Sequence, residues 1–218
     1  MIEYVKIETP YVRAEDGSKK LIEGSFRNET VAYLKDAIWE FTEKIDGTNI
    51  SIVWDGHKVK FHGRTERAQI PSRLVNHLNE KFGGEVNEEM FEQIFGDTPM
   101  ILFGEGYGAG IQKGGAYRDD ISFILFDVYQ PTNEIWLKRD AVEDIAKKMN
   151  IEVVPIVCRD TIEGAVRLVK CNPQSIVAKN GAKMEGVVGR PLVELKDRLG
   201  RRVIIKVKVN DYELNKEI

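Results

Sequence analysis

The stretch Thr48-Asn49-Ile50-Ser51-Ile52-Val53-Trp54 alternates polar and apolar side chains with a period of two. That period puts Asn49, Ser51 and Val53 on one face of a β-strand and Ile50, Ile52 and Trp54 on the other. Asp55-Gly56 follows, a pair whose backbone tolerates positive φ and closes tight hairpins. His57-Lys58-Val59-Lys60-Phe61 then reads as the return strand. An antiparallel hairpin here argues against a chain of repeating βαβ units, which need a crossover helix between successive strands.

The rest of the chain mixes strands with amphipathic helices. Two helices are expected between Pro71 and Phe95, the second carrying Met90, Phe91, Ile94 and Phe95 on one stripe. MILFGEG from Met100 and ISFILFDVY from Ile121 read as buried strands separated by a glycine-rich loop. Lys138 to Asn150 reads as a helix with Ala141, Val142, Ile145 and Met149 inward, and another runs from Thr161 to Lys170. Asn172-Pro173 predicts an N-cap and first-turn proline for a short helix ending near Gly181. RRVIIKVKV from Arg201 is the final strand. The fold class that follows is α+β built on antiparallel sheets. No linker of biased composition divides the chain, so residues 1–218 are expected to form a single domain.

Composition narrows the function classes. Residues are 42% hydrophobic and 31% charged, a mixture that buries a core and excludes a disordered chain. The net charge of −3 argues against a protein that coats nucleic acid over its whole surface. A local basic channel stays open, because Arg190 to Lys208 holds seven basic residues against two acids. Two cysteines, Cys158 and Cys171, are too few for a disulfide framework or a four-cysteine zinc site, and His57, His62 and His77 lack metal-ligand spacing. No apolar run nears the roughly 20 residues that span a bilayer, and MIEYVKIETP is no signal peptide. A cytoplasmic protein without membrane contact is expected.

Four short segments hold the side chains able to do chemistry. In Glu43-Lys44-Ile45-Asp46-Gly47-Thr48-Asn49 a lysine ends one strand, and a turn with Asp and Gly starts the next. That turn can hold an amine at a cleft floor with Asp46 and Asn49 reaching back to a ligand; a surface turn with a solvated lysine is the alternative. Phe103-Gly104-Glu105-Gly106-Tyr107-Gly108 holds most of a Gly-x-Gly-x-x-Ala spacing that runs from Gly104 to Ala109. A dinucleotide site is rejected, since no helix or βαβ unit follows and an acid stands inside the would-be phosphate cradle. Glu105, leaving a buried strand, can bind ribose hydroxyls or a metal-bound water, or sit in a flexible glycine loop. Glu185 precedes the short apolar strand Gly186-Val187-Val188, either as an oxygen ligand suited to Mg²⁺ or as a solvated turn acid. In Ile205-Lys206-Val207-Lys208 alternation puts both lysines on one strand face. A polyanion such as triphosphate would compensate them; solvated lysines guarding a sheet edge are the alternative.

In this order, EKIDGTN, FGEG, MEGVV and IKVK resemble the motif series of the covalent nucleotidyltransferases, the superfamily of ATP-dependent DNA ligases, RNA ligases and mRNA capping enzymes. Within it the chain resembles the RNA ligase domain family, the phage and RNA-editing RNA ligases, over residues 38 to 208. The resemblance implies a ligase adenylation-domain fold, with antiparallel sheets flanking an ATP cleft and helices at the periphery. It implies Lys44 as the nucleophile that forms lysyl–AMP, with Glu43, Asp46 and Asn49 around adenine, ribose and phosphate. Arg64, in HGRTER, would contact the nucleotide or its leaving phosphates. Glu105 matches the ribose-binding acid, and Phe126, in FILFDVY, the aromatic that stacks on adenine. Glu185 matches the metal-associated acid, with Glu105 the second candidate metal contact. Lys206 and Lys208 match the paired catalytic lysines near the α-phosphate.

The implied activity is an ATP-dependent RNA ligase with ATP and Mg²⁺, or Mn²⁺, as cofactors. Neutral Lys44 would attack the α-phosphorus and release pyrophosphate; AMP would pass to a 5′-phosphate end, which a 3′-hydroxyl then joins. A free lysine has a pKa of about 10.4, so nearby cations are needed to favour the neutral amine. The partner is nicked or single-stranded RNA, with DNA as the alternative, gripped along the basic strip. A compact DNA ligase, a capping guanylyltransferase and a non-catalytic nucleotide- or RNA-binding module are the competing readings. Only ten residues follow Lys208. The expectation is therefore a bare nucleotidyltransferase domain without a C-terminal OB-type or helical module, whose substrate grip a partner protein could supply.

Overall fold

The computed structural model describes residues 2–16, 20–65, 68–112 and 117–212. Glu66 and Arg67 of HGRTER, part of the loop after Gln112, and the tail after Tyr212 lie outside the described residues. In chain order the elements are β1 (Tyr11–Arg13), β2 (Leu21–Phe26), α1 (Glu29–Tyr33), β3 (Trp39–Lys44), β4 (Thr48–Trp54), β5 (Val59–Gly63), α2 (Ser72–Phe82), α3 (Glu85–Phe95), β6 (Met100–Gly108), β7 (Ile121–Gln130), β8 (Ile135–Trp136), α4 (Arg139–Lys148), β9 (Glu152–Val153), β10 (Ile156–Asp160), α5 (Ile162–Lys170), β11 (Gly186–Pro191) and β12 (Ile205–Lys208). They gather into two compact units. A central unit holds Met1–Tyr4 and Asp46–Val154, and a flanking unit holds Val5–Ile45 and Pro155–Ile218.

The central unit is one sheet in the order β5-β4-β6-β7-β8, antiparallel throughout, with the short β9 added parallel to β7. The period-two pattern of β4 decides its faces. Ile50, Ile52 and Trp54 are buried in a core with Leu102, Phe123, Leu125 and Val128. Leu74, Leu78 and Phe82 of α2, Phe91 of α3, and Val142, Ile145 and Ala146 of α4 close over that face. Met90, Ile94 and Phe95 pack at the margin of the stripe. Fully burying a side chain of this size contributes on the order of 1.5–3 kcal/mol.

The hairpin after β4 differs from expectation. Trp54 pairs with Val59, so the turn spans four residues, Asp55 to Lys58, rather than two. Asp55 is the reason: its Oδ1 accepts hydrogen bonds from the backbone N–H of His57 at 3.1 Å and of Lys58 at 2.8 Å, a local turn that replaces two strand pairings. The glycine-rich stretch differs as well. β6 runs on through Gly108, because Gly104 and Gly106 are laddered to β4 on one side and β7 on the other.

The flanking unit is a four-stranded antiparallel sheet, β10-β3-β11-β12, with β1 and β2 as a separate hairpin. Trp39 and Phe41 of β3, Val187 of β11, and Ile205 and Val207 of β12 form its core with Ile162, Ala165, Val166 and Val169 of α5. Thr161 caps α5, its hydroxyl accepting from the Gly164 N–H at 3.2 Å. Beside β12, Glu8 makes a parallel bridge to Ile205, and the Lys206 N–H donates to the Glu8 carbonyl at 2.9 Å.

The helix expected from Asn172 to Gly181 is absent. Asn172 has φ +48° and ends α5, its N–H donating to the Val169 carbonyl at 3.0 Å. A residue in that conformation closes the helix behind it instead of capping a new one. Residues 173–184 form a loop whose ends pair through a bridge between Gln174 and Lys183. Its N–H groups turn toward a buried carboxylate described below, which draws them away from helical i→i+4 bonding. No helix among the described residues is long and apolar enough to cross a membrane.

Candidate active site

In the flanking unit, strand register gathers the charged side chains. Lys44 of β3 and Lys208 of β12 are both the cross-strand partners of Gly186, so they stand on the same face at either side of β11. One row along, Val188 has Thr42 and Lys206 as partners, which puts Lys206 on that face too. Glu185 lies immediately before β11, and its backbone carbonyl accepts the Val209 N–H at 2.9 Å. Its Oε2 accepts from Lys44 Nζ at 2.6 Å and its Oε1 from Lys208 Nζ at 2.7 Å. The three side chains are only 25%, 13% and 30% exposed, so solvent screens these pairs less than ordinary surface ion pairs. Lys44, Lys206 and Lys208 set three ammonium groups on this face, the charge that attracts an anionic phosphate ligand.

Gly186 makes the arrangement sterically possible. It has φ +155°, and a Cβ there would lie 2.1 Å from the Val207 carbonyl oxygen and 2.7 Å from Lys208 Cα. Any side chain would push β12 away from β11, and Lys208 away from Glu185.

Glu43, one residue before Lys44, leaves β3 on the opposite face, among the core side chains, and is 1% exposed. The Ser175 hydroxyl donates to its Oε1, and the Ile176 N–H donates to its Oε2 at 2.8 Å. Burial pushes this carboxyl's pKa up, while the Ser175 hydroxyl and the N–H groups of Ile176 and Val177 pull it back down. Sequence reasoning expected Glu43 beside the nucleotide and missed Ser175; nothing local in SIVAKNG marks a partner 132 residues away.

In the central unit, Asp46 and Gly47 form the turn into β4. A Cβ at Gly47 would be 2.4 Å from the Gly106 carbonyl oxygen and 2.9 Å from Glu105 Cγ, so only glycine lets this turn lie against β6. Asn49 and Glu105 are cross-strand partners on the face opposite the core. Strand pairing therefore brings together Asn49 and Glu105, which the sequence keeps more than fifty residues apart, and Asp46 lies in the adjoining turn. Phe126 sits at a β-bulge. Partners jump from Phe103–Asp127 to Gly104–Leu125, leaving Phe126 as the extra residue, half-buried with its ring edge-on to Tyr4 at 5.0 Å between centroids. Arg64 is exposed in the bend after β5.

Sequence reasoning also missed a brace two residues beyond Glu105. The Tyr107 hydroxyl donates to Glu152 Oε2 at 2.8 Å, and Arg118 donates to the same Oε2 at 2.8 Å and to the Tyr107 oxygen at 3.1 Å. Burial leads the causes that push the Tyr107 pKa up to about 12, so the phenol stays a donor. The signal was the odd-numbered spacing Phe103, Glu105, Tyr107, which puts all three on one face of β6.

Among the described residues, no group of three or more His, Cys, Asp or Glu side chains gathers as a metal cage. Glu185 nonetheless suits Mg²⁺ or Mn²⁺, which bind through one or two carboxylates and take their remaining oxygens from phosphates and water.

The basic strip is partly spent inside the protein. Arg201 pairs with Asp197 at 2.7 Å, and Arg202, with a side chain only 5% exposed, pairs with Glu194. Lys196 is exposed, and the 93% exposed Arg198 makes only a loose 3.8 Å pair with Glu29.

The sequence pattern of one family, described as RNA ligase, matches residues 37–208. No protein of curated function matches the chain. Solved structures of a Naegleria gruberi RNA ligase are similar. A mutant of it with ATP and Mn superposes with a TM-score of 0.66 at 20% identity, covering 97% of this chain and 57% of that one. A second mutant, with AMP and Mn, gives 0.62 at 21%, covering 84% and 53%. The ligase with PPi gives 0.60 at 22%, covering 83% and 52%. This chain thus spans a little over half the length of those chains, and at such identities the likeness carries the fold.

Proposed function

The chain belongs to the RNA ligase family, and on that premise we propose that it is an ATP-dependent RNA ligase that seals 5′-phosphate and 3′-hydroxyl ends through a lysyl–AMP on Lys44. Its fold is the mixed α/β nucleotidyltransferase architecture of ligase adenylation domains, with antiparallel sheets and peripheral helices. The observation that carries the reading is the set Lys44, Glu185 and Lys208, joined by ion pairs across three adjacent strands.

In this reading residues 1–218 act as one nucleotidyltransferase domain in the cytoplasm. Asp46, Asn49 and Glu105 hold the nucleoside, Phe126 stacks on the base, and Arg64 meets the phosphates. Lys44 passes its proton to solvent and its amine attacks the α-phosphorus of ATP, forming the P–N bond as the phosphoanhydride bond breaks and pyrophosphate leaves with the bonding electrons. Lys206 and Lys208 stabilise the charge that develops on the phosphate oxygens. A divalent cation, Mg²⁺ or Mn²⁺, would be held by Glu185, with Glu105 as a further candidate, and would supply Lewis-acid neutralisation of the phosphates. The same lysines then serve transfer of AMP to an RNA 5′-phosphate, and attack by the 3′-hydroxyl releases AMP. Lys196 and Arg198 contact the RNA backbone.

The test is incubation with α-labelled ATP and a divalent cation. Label should stay on the protein and vanish in Lys44→Ala; a fully labelled Lys44→Ala protein rules out the assignment. Nicked duplexes with RNA or DNA on the 3′-hydroxyl side separate an RNA ligase from a DNA ligase. Binding of ATP with neither label nor joining marks a non-catalytic module.

A further inference from the structure

Glu43 and Lys44 are consecutive on β3, yet each grips a different end of the same segment. Lys44 binds Glu185, while Glu43 binds Ser175 and Ile176 from the core face. Between these points the chain closes on itself. The Ser175 N–H donates to the Ala182 carbonyl at 2.8 Å and the Met184 N–H to the Pro173 carbonyl at 3.1 Å. The Ser175 oxygen also accepts from the N–H groups of Val177 at 3.1 Å and Ala178 at 2.9 Å, which folds the loop tip around the Glu43 contact. Met184, beside Glu185, is 3% exposed and packs in the core. A carboxylate on an apolar face carries a desolvation penalty, and here both its oxygens hold loop donors.

We propose that Glu43 is a positioning residue: it anchors the 173–184 loop and so fixes Glu185 against Lys44, and it does not itself contact the nucleotide. The kinetic part of this inference rests on the ligase reading; the structural part does not.

Glu43→Gln keeps the side-chain volume but sets an amide NH₂ where a charged acceptor stood, so one loop bond is lost. Losing a charge-assisted bond shifts local opening by about tenfold or more. Lys179 and Lys183 are exposed in the loop and offer tryptic sites. Without nucleotide, trypsin should cut Glu43→Gln there at least about tenfold faster than the wild type. In lysyl–AMP formation, kcat should fall about tenfold or more while KM for ATP changes less than about threefold, since a misplaced Glu185 affects reaction more than binding. Ser175→Ala, which removes the other half of the anchor, should reproduce the pattern in weaker form and covers the case of a Glu43→Gln protein that does not fold.

Wild-type trypsin resistance in both variants overturns the proposal. A raised KM for ATP with unchanged kcat and no extra cleavage overturns it too, and makes Glu43 a nucleotide contact. If the wild type forms no lysyl–AMP, the ligase reading fails, while the cleavage rates still decide the anchor.

Discussion

Gly186→Ala tests the geometry of the charged set without touching a charge. The added methyl carbon would lie 2.1 Å from the Val207 oxygen, 3.0 Å from its carbonyl carbon and 2.7 Å from Lys208 Cα. All three are backbone atoms, so no side chain can swing aside. Relief to ordinary contact requires β12 to retreat by somewhat more than about 1 Å. That retreat breaks the ladder where Gly186 faces Lys208. One or two hydrogen bonds at about 1 kcal/mol each, plus about 1–2 kcal/mol of strain at a φ that side chains rarely adopt, give about 2–4 kcal/mol. For a chain of this size that corresponds to a melting point lower by roughly 4–9 °C. Displacing Lys208 from Glu185 by about 1 Å should also slow lysyl–AMP formation by about a hundredfold. Thermal melting and single-turnover labelling with α-labelled ATP measure the two effects. A Gly186→Ala protein that melts with the wild type and labels within threefold of its rate refutes the claim that this glycine sets the spacing.

Other outcomes follow from the same structure. Phe91→Ala should lower stability by about 3–5 kcal/mol, read by denaturant unfolding, because the ring is fully buried between Trp54 and Phe82. Tyr107 is an acid whose folded-state pKa is raised to about 12, so its share of stability is complete below its unfolded value of 10.0 and is lost as pH climbs from there through 12. Tyr107→Phe should therefore flatten part of the alkaline fall in melting temperature, and an unchanged alkaline profile would remove the brace. Replacing Lys196 and Arg198 together with Ala should weaken RNA joining and reduce the slope of log affinity against log salt by about one to two; a slope equal to the wild type takes this hairpin off the RNA path.

What could be read from residues alone was whatever is periodic. The faces of β4, the stripe of α3 and the shared face of Lys206 and Lys208 were all legible, because side-chain period follows directly from backbone geometry. The pairing of Lys44 and Lys208 through one glutamate was legible only as a set of separate motifs, since register belongs to strands far apart in sequence. The 172–181 segment misled for a related reason. Asn-Pro is a true local helix-start signal, but the buried Glu43 carboxylate competes for the same N–H groups. The N-terminal elements β1, β2 and α1 carried too little periodicity to be read, and Asp55 lengthened a turn that its neighbour Gly56 made look short.

β3 lies between β10 and β11, and the backbone next to Glu8 is stitched to β12. The strand that bears Lys44 is made before the central unit, and each of its sheet neighbours after it. The central unit is interposed in sequence and draws its strands from one continuous stretch, so it can form while the ribosome is still adding residues. The flanking sheet cannot close until Lys208 has emerged. A nascent chain therefore displays Lys44 without Glu185 or Lys208 around it, and the three charges meet only once Lys208 has been added.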